Sequence, residues 1–140
     1  MAIGLEIDES RSLMIWTYFP GRQTAEEFRD HFAALIEIGE VARACRYLMI
    51  VYSRGVDVSD MDAEAMDRMQ ARLVRDRAAL FGEDGIEQTV FVCPDPLNKL
   101  AIEHFIHRSD ERPLGEYSIF ATRQEAETWL FVDERSAQNG

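Results

Sequence analysis

Phe120-Ala121-Thr122-Arg123-Gln124-Glu125-Ala126-Glu127-Thr128-Trp129-Leu130 holds the end of a strand, the start of a helix and the apolar pair that closes that helix. Thr122 is placed to accept from the backbone amide of Glu125 while the Glu125 carboxylate reaches back, a capping box that satisfies two otherwise orphaned donors. Nothing in the segment can do chemistry. It therefore speaks for a fold and is silent about an activity.

Working outward, Pro113-Leu114-Gly115 breaks the chain ahead of the strand Tyr117-Ser118-Ile119-Phe120. Gln88-Thr89-Val90-Phe91-Val92-Cys93 is an earlier strand, followed by Asp95 and Pro96 as N-cap and first helical position, with Leu97, Leu100, Ala101 and Phe105 as that helix's apolar face. Tyr47-Leu48-Met49-Ile50-Val51-Tyr52 is apolar without interruption, the pattern of a central strand covered on both sides. Met66, Met69 and Leu73 recur at helical spacing in a segment reaching about Phe81-Gly82. Near the start, Leu5 and Ile7 alternate with polar residues, and Leu13 to Phe19 reads as a longer strand, the two forming a hairpin. Thr24 and Glu27 make a second capping box, Phe28, Phe32, Leu35 and Ile36 give the stripe, and Gly39 ends the helix. From Asp133 the apolar periodicity stops, so the reading is one domain over residues 1–132 and a flexible tail over 133–140. The order is ββαβαβαβα: five strands and four helices in a mostly parallel mixed sheet with an antiparallel N-terminal edge strand.

A chain of 140 residues that is 46% hydrophobic and 29% charged can bury a core without disulfides or metals. The net charge of −11 argues against nucleic acid and anionic membrane surfaces, which call for excess Lys and Arg. Arg68, Arg72, Arg75 and Arg77 gather on one helix but are interleaved with acids, as on a solvated face. Lys99 is the one lysine beside fourteen arginines, a bias that suggests a GC-rich, bacterial genome. With no leader-like start and no apolar run near the ~18 residues that span a bilayer, the expectation is a cytoplasmic protein without membrane insertion. Cys45 and Cys93 are then free thiols, at opposite ends of their strands.

The element order, the Gly21-x-x-Thr24 helix entry and the closing Phe120-x-Thr122-x-x-Glu125-Ala126-x-x-Trp129-Leu130 resemble the STAS-like (SpoIIAA-like) proteins, the superfamily of bacterial anti-sigma-factor antagonists. The likeness spans roughly residues 3 to 131 and is closest to small stand-alone members of unassigned function. It implies a non-catalytic regulatory or protein-interaction domain, a homodimer and a protein partner. In outline the same pattern looks like the CRAL-TRIO lipid carriers, which implies a carrier or sensor of a small apolar ligand. In the antagonists, a serine opening the helix after the central strand is phosphorylated. Here that region is Ser53 to Asp62; the Asp-Ser-x-Gly element is absent and Ser59 stands roughly in its place.

Read from the residues alone, Ser59 is either a regulatory phosphate site at a helix N-terminus or, with Asp60, a plain cap. Asp57, Asp60 and Asp62 would repel a phosphate and lack the spacing of a calcium loop. Cys93, at a strand's carboxyl end, is the one candidate nucleophile for an enzyme, without an evident base. His104 and His107 share a helix side but lack a third metal ligand, and His31 has no assigned role. Phosphate loops, dinucleotide fingerprints and nucleophile elbows are absent, so neither a catalytic residue nor a cofactor nor a metal is assigned. Trp16, Met49, Met66 and Trp129 are the candidate lining of an apolar pocket. Because Leu13 to Phe19 is apolar on both faces, a second subunit is one way to cover it.

Overall fold

The computed structural model describes residues 3–107 and 113–139, with side chains described as far as Phe131. Strands β1 (Gly4–Asp8), β2 (Leu13–Tyr18), β4 (Tyr47–Tyr52), β6 (Gln88–Val92) and β7 (Glu116–Phe120) form one five-stranded sheet in the order β1-β2-β4-β6-β7. β1 is antiparallel to β2 and every later pairing is parallel. Helices α1 (Ala25–Ile38), α2 (Glu40–Arg43), α3 (Ala63–Arg75), α4 (Arg77–Phe81), α5 (Pro96–His107) and α6 (Arg123–Asn139) complete it, with two-residue strands β3 (Gly21–Arg22) and β5 (Val56–Asp57) paired parallel to one another.

The expected sheet is present, but the described residues form six helices against the four that periodicity predicts. α2 is a short turn after Gly39, and the long second helix of those four breaks at Asp76 into α3 and α4. The β3–β5 pair joins two connections, the one from β2 to α1 and the one from β4 to α3. Two residues are too few to show a period of two, so no sequence pattern announces it. The helix opened by Thr122 does not close at Trp129–Leu130 but continues to Asn139, past the boundary set at 132 by apolar periodicity. Gly140 lies outside the described residues.

The Thr24 capping box is complete, and the Thr122 one is half made. Thr24 Oγ1 accepts from the Glu27 amide at 3.3 Å and the Thr24 amide donates to Glu27 Oε2 at 3.4 Å. Thr122 Oγ1 likewise accepts from the Glu125 amide at 3.3 Å, but its own hydroxyl donates to the Glu125 carboxylate at 3.0 Å. At the start of α5, Asp95 accepts from the Leu97 amide at 2.9 Å, the expected cap. Each such cap is worth roughly 1 kcal/mol, enough to set where a helix begins though not to hold the fold.

The core divides by strand parity. Met14, Trp16, Tyr18, Leu48, Ile50 and Phe91 meet residues of α1, α3, α4 and α5 on one face of the sheet. Leu13, Ile15, Met49, Val90 and Val92 pack under Ala126 and Leu130 of α6 on the other. Because the strand order never reverses, right-handed crossovers bring the crossover helices to one face, and the sheet has no topological switch point. The crevice expected beside Cys93 therefore does not form by that route. β2 is indeed apolar on both faces, yet Leu13 is 0% and Ile15 3% exposed beneath this chain's own α6. A second subunit is not needed to cover it.

α5 keeps Phe105, and in part Ala101, on its expected inner face but not the two leucines. Leu97 and Leu100 are 76% and 63% exposed, while Asn98, Ile102 and Phe105 are buried. Positions i, i+4 and i+7 from Asn98 face inward, where Ile102 and Phe105 bury apolar surface and Asn98 Nδ2 donates to the Val56 carbonyl of β5 at 3.1 Å. Replacing Leu97 and Leu100 together by serine is expected to change unfolding free energy by less than about 1 kcal/mol in urea titration, as exposed substitutions do. Loss of several kcal/mol would restore the expected face. Ile36 makes a similar exchange on α1, being 44% exposed while His31 is buried in its stead.

Candidate ligand cavity

An apolar cavity of about 40 Å³ lies between the sheet and the helical layer. Trp16, Tyr18, Ile50, Tyr52 and Phe91 form its floor, which follows from register, since Trp16 is paired with Ile50 and Ile50 with Phe91 on one face. Phe28 and Phe32 of α1, Met66, Met69 and Leu73 of α3, and Ala101, Ile102 and Phe105 of α5 make the walls, with Val58, Met61 and Leu114. Among the described residues the lining carries no charged side chain. The Trp16 indole N–H is engaged, donating to Met14 Sδ at 2.9 Å. Tyr18 and Tyr52 meet edge to face at 4.7 Å. Burial, with the neighbouring phenol of Tyr52 second, raises Tyr18 well above the phenol range. Burial, with the Cys93 thiol second, does the same for Tyr52. Both stay neutral hydroxyls at any physiological pH.

Of the four residues expected to share a pocket, Trp16 and Met66 do and Met49 and Trp129 do not. Met49 is fully buried on the α6 face, where it neighbours Ile15 in register. Trp129 is half-buried on α6, its ring 6.1 Å from that of Phe120. Parity along β4 carries the signal that separates them, since Met49 alternates with Leu48 and Ile50. The residues missed, Tyr52, Phe91 and Ile102 among them, lie on strands and a helix already read as such; which helix would cover which face is a tertiary fact.

His31 is the buried group the sequence left without a role. Its ring stands edge-on to Trp16 at 4.5 Å, and its Nε2 is buried without a hydrogen-bond partner. Burial pushes its pKa down to about 4. Its spacing from Phe28 and Leu35 places it on the apolar stripe, a legible signal.

Ser59 is exposed in a turn, its amide donating to Asp57 Oδ1 at 2.8 Å. The N-cap of α3 is Asp62, which accepts from the Ala65 amide at 2.8 Å. Neither Ser59 nor Asp60 caps that helix, and the dipole argument for a phosphate on Ser59 falls with the position. The three aspartates are engaged separately: Asp57 with Ser59, which lowers its pKa, Asp60 with Arg22 through bonds of 2.6 and 2.7 Å, and Asp62 as the cap. Among the described residues no group of three His, Cys, Asp or Glu is gathered to hold a metal, and His104 and His107 are exposed.

Cys93 is 4% exposed and its thiol donates to the Asp95 carbonyl at 3.2 Å. Burial raises its pKa, the opposite of what a nucleophilic thiolate requires. Cys45 is also a buried free thiol, pushed up to about 11 by burial and then by the Glu9 carboxylate. The arginine row on α3 is matched by acids, Arg68 with Glu64 at 2.8 Å, Arg72 with Asp76 at 3.5 Å and Arg75 with Asp76 at 3.1 Å. Among the described residues no helix is long and apolar enough to cross a membrane.

No family model, curated protein or solved structure matches this chain.

Proposed function

We propose that this chain is a non-catalytic, STAS-like binding domain that takes a small apolar molecule into the cavity between its sheet and helices. The observation that carries this reading is the lining itself: aromatic, methionine and aliphatic side chains from three helices and three strands, without a charge among the described residues. A cavity of about 40 Å³ is smaller than the roughly 150 Å³ known to accept benzene, so binding must draw on movement of the wall. Met61, Met66 and Met69 supply it, since an unbranched thioether changes rotamer at low cost. The five-stranded sheet with its antiparallel first strand and the threonine caps that open α1 and α6 support the STAS-like part of the reading.

Isothermal titration with octanol is expected to give saturable one-to-one binding and a raised melting temperature. Ala101→Phe, which fills the cavity from α5, is expected to abolish it in a protein that retains its circular dichroism. Should that variant fail to fold, Met66→Ala enlarges the same space and is expected to tighten binding. Absence of saturable binding up to the solubility of octanol, or binding indifferent to both changes, overturns the proposal.

A second reading, a regulatory domain acting through a protein partner or its own dimer, is favoured by Leu97 and Leu100, exposed one turn apart on α5. Sedimentation of the native chain beside Leu97→Ser/Leu100→Ser tests self-association through that face.

A further inference from the structure

A second hollow lies against the first. On the outer side of α1 and α3 a groove of about 130 Å³ shares Phe28, Phe32, Met61 and Met69 with the inner cavity, so these four side chains form a partition with space on both sides. Two of the four are methionines, the side chains that most readily change rotamer. The charged residues lining the groove are Arg29 from α1 and Arg68 from α3, on a chain whose net charge is −11. Both are exposed. Arg68 is held by Glu64 at 2.8 Å, but that pair is open to water on both sides, and such pairs contribute about 0–1 kcal/mol, so an incoming anion can displace it. Apolar space behind a partition half made of methionine, with two arginines on its outer side, is the complement of an amphiphile.

We propose that the ligand is a small amphiphilic anion that enters between α1 and α3, its tail passing Met61 and Met69 into the inner cavity while Arg29 and Arg68 hold its acidic head. This rests on the cavity reading above and adds to it the route and the class of ligand. The two hollows joined hold a longer tail than the closed cavity does, which resolves the mismatch between a 40 Å³ space and any organic ligand. The arginines do not bond the tail; they select the head.

Octanoate and octanol, compared by isothermal titration at low salt, separate the two claims. Octanoate is expected to bind about tenfold more tightly, the scale of two partly exposed charge pairs, and to lose that advantage as salt is added. Arg29→Ala with Arg68→Ala is expected to erase the difference while leaving octanol binding unchanged; both positions are exposed, and circular dichroism checks the fold. Equal affinity of the two probes for the native chain, or an octanoate advantage that survives the double variant, overturns the anion proposal and leaves the cavity standing. If neither probe binds, the cavity reading fails and takes this inference with it.

Discussion

Gly115→Ala is expected to destabilise this protein by about 3 kcal/mol or more, a large share of the roughly 5–15 kcal/mol that holds a domain folded. Gly115 has φ +78°, where an L side chain carries a penalty of roughly 1–2 kcal/mol. Sterics add the rest: a Cβ there would overlap the Glu87 carbonyl and come within 2.6 Å of the Ile86 oxygen. Neither can yield easily. The Glu87 carbonyl accepts from the Glu116 amide at 3.0 Å, and the neighbouring Leu114 carbonyl is held by the buried Thr89 hydroxyl at 2.7 Å. Gly21→Ala is the control, since Gly21 has φ +114° but nothing within 4 Å of an added Cβ, so only the backbone penalty applies. Urea unfolding of the two variants should separate strain from overlap. Similar losses in both would show that the β6–β7 connection is softer than its contacts imply.

The second large effect is one of pH. His31 is buried as the neutral imidazole, with a folded pKa of about 4 against 6.5 for a free histidine. A base whose folded pKa lies below its unfolded value binds more protons when unfolded. Its stabilising contribution is therefore whole above about pH 6.5, falls as pH drops from 6.5 toward 4, and is fully lost below. The difference is worth about 3 kcal/mol. Asp8, Asp57 and Asp76, whose pKa values are lowered by hydrogen bonds from Ser10, Ser59 and Arg75 respectively, contribute stability that is lost only at more acid pH, around and below the carboxylate range. Between pH 6.5 and 4.5 the His31 effect stands by itself among these shifted groups. His31→Phe keeps an aromatic ring against Trp16 and removes the titration. Between pH 6.5 and 4 the native chain should lose about 3 kcal/mol of unfolding free energy that the variant keeps, so the difference between the two shifts by that amount in the variant's favour as pH is lowered. Parallel pH profiles would mean that His31 does not stay neutral in the folded core.

Elements with enough residues to display a period, or with a polar residue at a fixed offset, were legible in the chain. β2, β4, β6 and β7 were, because a run of apolar residues of strand length bounded by turn residues has few other structural solutions. Both threonine caps and the Asp95 cap were, because a side chain two or three residues from an amide reaches it without help from the rest of the molecule. The candidate site was half legible. Trp16 and Met66 could be named from their types, but joining them to Met49 and Trp129 required knowing which face of β4 and which helix met, and alternation along the strand decides against that grouping.

What tertiary structure alone decided is how the faces are filled. Periodicity marks a helix as one-sided but does not say which of two neighbouring stripes turns inward, and on α5 the stripe that does so buries Ile102 and Phe105 and bonds Asn98 to the Val56 carbonyl, leaving Leu97 and Leu100 outside. Ser59 lost its place at a helix start because Asp62, not Ser59, reaches the free amide of Ala65. The cavity and the groove beside it exist only because side chains from α1, α3 and α5, far apart in the chain, meet without filling the space between them. Local order follows from contacts within a few residues, which a sequence displays directly; a cavity is the shape left over when distant surfaces pack, and no single stretch of chain contains it.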